Sequence, residues 1–283
     1  MVRHECAEAL GAIGAQRSIS TLQATMDLNP RTPELYQTCD IAIAHMQWRI
    51  HHDAQNAQNT QNTQNTQNAQ DSQLEVEEEP MACACMLSPY NSIDPAPPHP
   101  NHIHLSTMEI YQILHNDKLP LFQRYRAMFS LRNRGGNDSV RALGKVLVED
   151  TSSALLRHEI AYVLGQMQHP ASIDALGESL RRSKEHEMVR HEAAEALGAI
   201  DAGDRWQDCE SILKEFLQDE DVVVRESCVV ALDAADYWGN PNHDPNHLHH
   251  DDESFGKQKA ISNGRTNDTK DALMNHFNVQ PIC

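Results

Sequence analysis

Apolar residues return along much of this chain at helical spacing, and they do so in units that repeat. Ile160, Val163, Leu164 and Met167 share one helical face, and a second apolar set, Ile173, Ala175, Leu176 and Leu180, follows before the next unit begins. Arg124 to Leu131 aligns with Arg157 to Leu164 at a step of 33 residues, His158 to His191 is 33 again, and a last step of 35 reaches Glu226. Two helices at such a period predict a stacked, all-α solenoid of HEAT-type repeats, because one helical pair cannot bury its apolar face alone.

The chain opens with a copy of one of these units. Met1 to Ile13 repeats Met188 to Ile200 with a single change, Cys6 for Ala193, and Gln37-Thr38-Cys39 echoes the closing Glu226-Ser227-Cys228. By that symmetry a partner for residues 124–187 is expected ahead of Met1, and the start reads as a truncation. The expected organisation is two lobes joined by a long disordered linker. It comprises an incomplete N-terminal repeat lobe over 1–50, a low-complexity and Pro-rich linker over 51–104, a C-terminal repeat lobe over 105–238 and a disordered tail over 239–283. The Gln/Asn tract from Asn56 to Gln70 and the acidic run from Glu75 to Glu79 hold too little apolar surface to offset ordering entropy. Leu105 to Asn116 is expected to lead into the second lobe as a helix.

A formal charge of -18 argues against nucleic acid, whose phosphate backbone demands clustered Lys and Arg, and favours cationic partners instead. No apolar run reaches the roughly 20 residues of a spanning helix. Seven scattered cysteines fit free thiols in a reducing, cytoplasmic setting better than a disulfide framework. Cys6, Cys39 and Cys228 fall on apolar helical positions, where a thiol acts as a small hydrophobe.

The candidate chemistry lies at one station of the repeat. His4-Glu5, His158-Glu159 and His191-Glu192 each follow an Arg and precede an apolar run ending in Leu-Gly, whereas the outer units carry Tyr125-Arg126 and Glu226-Ser227 there. Loss of the pair only in the capping units points to a site at the centre. Adjacent helical residues point about 100° apart, so one pair cannot clamp a metal, but a solenoid brings equivalent stations side by side. A second lobe folding across the first would add its own pairs around a central space holding two metal ions. Nitrogen and oxygen donors without thiolate suit non-haem iron or manganese. Glu8 and Glu195, one turn beyond the pairs, read equally as outer partners of the ligands or as solvated positions. Tyr162 reads as core, and Gly11, Gly165 and Gly198 as sites of close helix packing. The His243, His247, His249 and His250 tract reads as a solvated tail. No phosphate-binding loop and no nucleophilic triad is present.

These motifs, with Tyr90 to Pro98, Arg124 to Asn133 and Val224 to Asp233, resemble the deoxyhypusine hydroxylase family of HEAT-repeat di-iron monooxygenases. The resemblance implies Fe(2+), two ions per complete site, held by His4, Glu5, His158, Glu159, His191 and Glu192. It also implies that Glu159 and Glu5 hold the amines of the substrate. The implied reaction is dioxygen-dependent hydroxylation of the deoxyhypusine side chain on a translation initiation factor, with neither nucleic acid nor membrane as partner. The family's first pair of the first half has no counterpart here, so weakened binding at one iron is expected. A non-catalytic HEAT scaffold and a bilin-lyase-like HEAT protein are the alternatives.

Overall fold

The computed structural model describes residues 2–67 and 88–239. Among them are eleven α-helices and no strand. The first lobe contains α1 (Val2–Ile13), α2 (Ile19–Leu28) and α3 (Pro33–Gln67); the second contains α4 (Thr107–His115), α5 (Leu121–Arg134), α6 (Gly136–Glu149), α7 (Ala154–Met167), α8 (Ile173–Arg181), α9 (Glu187–Ala199), α10 (Trp206–Glu215) and α11 (Val222–Gly239). In the second lobe α5, α7, α9 and α11 stack as an inner layer, and α4, α6, α8 and α10 as an outer one.

Local signals set the helix ends. Ser106 and Glu109 form a reciprocal capping box at the start of α4, and the Ser153 hydroxyl accepts from the Leu156 amide at the start of α7. Gly135, at φ 67°, ends α5 in the left-handed region that only glycine adopts freely. In three units of the second lobe the shared Arg is a staple between units. Arg124 pairs with Asp150, Arg157 with Glu185 at 2.6 Å, and Arg190 with Asp219 at 2.6 Å. Each guanidinium thus reaches an acid that precedes or lies within the loop leading to the next inner helix.

Each lobe buries its own apolar cluster. Leu22, Met26, Leu35, Cys39 and Met46 belong to the first, and a continuous core from Ile110 to Ala231 fills the second. The lobes meet along α3, whose Ile41 joins the second core. Gln37 accepts from the Ser153 hydroxyl at 2.8 Å across the same seam.

Three features depart from the expectations. The helix α3 runs past residue 50 through Gln67, into the tract expected to be disordered. No Gly or Pro interrupts the chain between Glu34 and Gln67, and Gln and Ala are acceptable helix formers. The stretch from Ser88 to Pro98, expected as linker, packs on α5: the buried Arg132 binds Asp94 with bonds of 2.8 and 2.5 Å. It also donates to Ser88 at 2.9 Å, and its guanidinium lies 4.6 Å from the centre of the Tyr90 ring. Cys6 is exposed rather than a core thiol, while Cys39 and Cys228 are buried as expected. The acidic run, Cys83, Cys85 and the His-rich tract lie outside the described residues.

Candidate metal centre

The close helix packing that brings the stations together depends on missing side chains. A Cβ on Gly11 would stand 2.8 Å from the Ala42 Cβ, one on Gly165 3.2 Å from Ala196, and one on Gly198 2.7 Å from the Ala231 Cβ. With the inner helices this near, α1, α7 and α9 present His4, His158 and His191 to one another. The His4 and His158 rings meet edge to face at 5.3 Å, and His158 and His191 lie 5.5 Å apart. All three imidazoles are at least nine-tenths buried.

Two sets of donor atoms approach closely enough to share an ion. His4, Glu5 and His158 form one, and His158, His191 and Glu192 the other, each with its ligand atoms within 4.8 Å of one another. His158 is common to both. Its Nε2 lies 3.4 Å from Glu192 Oε2, and His4 Nε2 lies 3.2 Å from Glu5 Oε1 without hydrogen-bond alignment. Glu159, also predicted as a ligand, belongs to neither set; it lies buried beside them and lines a small cavity with Glu8.

The imidazole nitrogens are available. Thr38 donates its own hydroxyl proton to the Glu34 carbonyl, so its Oγ1 is left to accept from His4 Nδ1 at 3.0 Å. That bond places the His4 proton on Nδ1 and leaves Nε2 as a bare lone pair. His191 Nδ1 lies 3.3 Å from Glu195 Oε1, and although burial opposes it, that hydrogen bond and the nearby Glu192 raise the His191 pKa above its ordinary value. His4 Nε2, His158 Nδ1 and His191 Nε2 are buried without a hydrogen-bond partner. Buried polar nitrogens without partners are costly and seldom left so. Burial, reinforced by the neighbouring His4 and His191, depresses His158 to about 3, which keeps it neutral.

The carboxylates are unbalanced in the opposite sense. Burial raises Glu8 to about 7 and Glu192 to about 8, and pushes Glu159 well above the usual range, with Glu8 and Glu192 adding to it. Among the described residues no Lys or Arg forms an ion pair with any of the three. Imidazoles with unpartnered buried nitrogens, beside carboxylates that have no Lys or Arg partner, are the donor set that a divalent metal such as Fe(2+) would satisfy, so the residues present fit the group. The cavity, ≈20 Å³, is bounded by Glu8, Thr38, His45, Tyr125 and Glu159 and by Ile93 and Pro95 of the connector.

Known proteins resemble this chain in sequence and in fold. Models described as HEAT repeats and PBS lyase HEAT-like repeat match residues 107–198 and residues 2–27 and 189–219, respectively. Deoxyhypusine hydroxylase of Candida albicans is 40% identical over 238 residues, covering 84% of this chain and 64% of its own length. The Danio rerio enzyme is 41% identical, covering 84% of this chain and 66% of its own length. The structure of human deoxyhypusine hydroxylase in complex with glycerol superposes with a TM-score of 0.63 at 38% identity, over 83% of this chain and 68% of that one. The chain belongs to the deoxyhypusine hydroxylase family. It spans just under two thirds of the length of those curated relatives.

Two supports of the imidazole cluster were absent from the sequence-predicted set, Thr38 behind His4 and Ser227, whose hydroxyl donates to Glu195 at 2.8 Å. Their signal was available, since both occupy the station that bears Glu in the His-Glu repeats. Tyr162 packs partly buried against the core, as expected.

Proposed function

We propose that this protein is a deoxyhypusine monooxygenase, hydroxylating the deoxyhypusine side chain of a translation initiation factor with dioxygen. The observation that supports this reading most directly is the meeting of three buried imidazoles, each with an unpartnered nitrogen, in two donor sets completed by Glu5 and Glu192. His4, Glu5, His158, Glu159, His191 and Glu192 would hold Fe(2+), two ions per complete site. Bound iron supplies the means of activating dioxygen, which side chains alone lack.

The chain's own residues do the rest. Thr38 and Glu195 fix the imidazoles in the tautomer that offers Nε2. Glu159 and Glu5 receive the ammonium groups of the substrate, and Glu8, which lines the cavity beside Glu159, offers a further carboxyl there. The low-dielectric walls of Tyr125, Ile41 and Leu155 exclude water from the path to those carboxylates. The acidic balance of the chain draws a cationic side chain towards them. No helix among the described residues is long and apolar enough to cross a membrane, and Cys39 and Cys228 are buried as free thiols. Cytoplasmic action on a protein substrate accords with both.

The test is anaerobic loading with Fe(2+), iron analysis, and dioxygen-dependent conversion of a deoxyhypusine-bearing factor followed by mass spectrometry. The expected product is heavier by one oxygen atom. Absence of iron binding by the full chain would refute the reading.

A further inference from the structure

The repeats that lack a His-Glu pair are not chemically silent. Gln37-Thr38-Cys39 and Glu226-Ser227-Cys228 occupy equivalent places in the closing units of the two lobes, and each puts a hydroxyl where the central repeats put Glu. Both hydroxyls are buried, with Thr38 4% and Ser227 7% exposed. Each points back at the helix before it, yet they act differently. Thr38 Oγ1 accepts a hydrogen bond from His4 Nδ1–H directly at 3.0 Å. Ser227 Oγ instead donates to Glu195 Oε1 at 2.8 Å, and that same oxygen faces His191 Nδ1 at 3.3 Å. Glu8 is the first-lobe equivalent of Glu195. Thr38 has taken the place on the imidazole that Glu195 takes in the second lobe, and Glu8 lies against the cavity instead.

The chemical consequence is unequal imidazoles. A carboxylate on Nδ1–H pulls the proton and makes Nε2 a stronger donor, whereas a hydroxyl that already spends its own proton elsewhere does so less. We propose that Thr38 and Ser227 are positioning residues for the metal site, and that they make its two halves unequal: the His191 half binds a divalent cation more tightly than the His4 half. This rests on the metal-site reading above. Metal would then enter in two steps, first at His158, His191 and Glu192, and afterwards at His4 and Glu5.

The experiment is a Co(2+) titration of the full chain under anaerobic conditions, followed by visible absorption and calorimetry. It is paired with ¹⁵N imidazole shifts of the metal-free protein. Wild type is expected to show a tight and a weak step. Ser227→Ala, backed by Glu195→Gln on a half-exposed side chain, should weaken the tight step about tenfold, within the range seen for such outer partners. Thr38→Val should weaken only the other step and remove the Nδ1–H tautomer of His4, and Thr38→Ser should restore both. Unchanged titrations in Ser227→Ala, Glu195→Gln and Thr38→Val would overturn the proposal, as would a weak step that responds to Ser227 and not to Thr38. A wild-type chain that binds no Co(2+) overturns the metal-site reading and this proposal with it. In that case the His4 tautomer would still report on Thr38 in the metal-free protein, which tells the two failures apart.

Discussion

His4 and His158 stand edge to face with ring centroids 5.3 Å apart, one from the first described helix and the other from the second lobe. Nothing local holds them there. The contact exists because α3 lies between the lobes, packing on α1 from one side and on α5 and α7 from the other. The set of His4, Glu5 and His158 is therefore a property of the lobe interface, whereas His158, His191 and Glu192 all belong to the second lobe.

Shared membership makes His158 the most sensitive ligand. It belongs to both donor sets, whereas His4 and His191 each belong to one. His158→Ala should abolish iron binding at both halves, while His4→Ala should spare the half around His191. Iron content per chain after anaerobic loading and desalting checks this. Equal losses in the two variants would show that His158 is not shared.

The glycines at the ends of the Leu-Gly runs make a second, graded prediction. Gly198→Ala would drive a Cβ to 2.8 Å from the backbone oxygen of Ala231, which cannot swing away as a side chain can. Gly165→Ala meets Ala196 at 3.2 Å, a contact relieved by a few tenths of an ångström. Overpacking of this kind costs about 1–3 kcal/mol, so Gly198→Ala should lie at the upper end and Gly165→Ala at the lower. Urea denaturation of both variants would settle the order.

Much of this was readable beforehand, and the boundary follows physical lines. The 33-residue period predicted α7 and α9 and put His158 beside His191, because a repeat brings equal stations together whatever the loop details. The meeting of Met1–Ile13 with the second lobe followed from its near identity to the unit at Met188. What the pattern did not disclose were contacts of single polar atoms. That Arg132 would gather Asp94, Ser88 and Tyr90 depends on one guanidinium meeting a segment with no periodicity at all. The continuation of α3 through Gln67 was missed because composition speaks to burial, and a helix without breakers can persist with little of it.

The Arg132 cluster has its own consequence. Its side chain is fully buried, and Asp94 is its ion-pair partner. Removing one member of a buried pair leaves the other charge unbalanced, at a cost of about 3–5 kcal/mol. Arg132→Ala should therefore destabilise the protein by roughly that amount. Release of Ser88–Pro98 should also speed amide exchange at Ile93, the connector residue lining the cavity. Hydrogen exchange with mass spectrometry would detect it. Unchanged exchange there would mean that the connector is held by its prolines and by Arg126, which donates to the Pro97 and Pro98 carbonyls, rather than by Arg132.

The repeat staples give the protein a defined acid limit. Burial alone would raise the Asp150 carboxyl, yet the hydrogen bond and charge of Arg124, with the Ser153 amide and Ser152 hydroxyl, hold it below its ordinary value of 3.8. Asp219 is lowered in the same way, chiefly by its hydrogen bond from Arg190. In both cases the unfolded chain takes up a proton at a pH where the folded chain does not. The stability they contribute is thus complete above about pH 5 and drains away as pH falls through the folded values, below 3.8. Asp150→Asn should lower stability at pH 7 and flatten its decline between about pH 4 and pH 2, since that carboxylate no longer titrates. Thermal melts across that range, with the exposed Glu220→Gln as a control, would measure it. A slope as steep in Asp150→Asn as in wild type would place the acid sensitivity elsewhere, with Asp219 the next residue to replace.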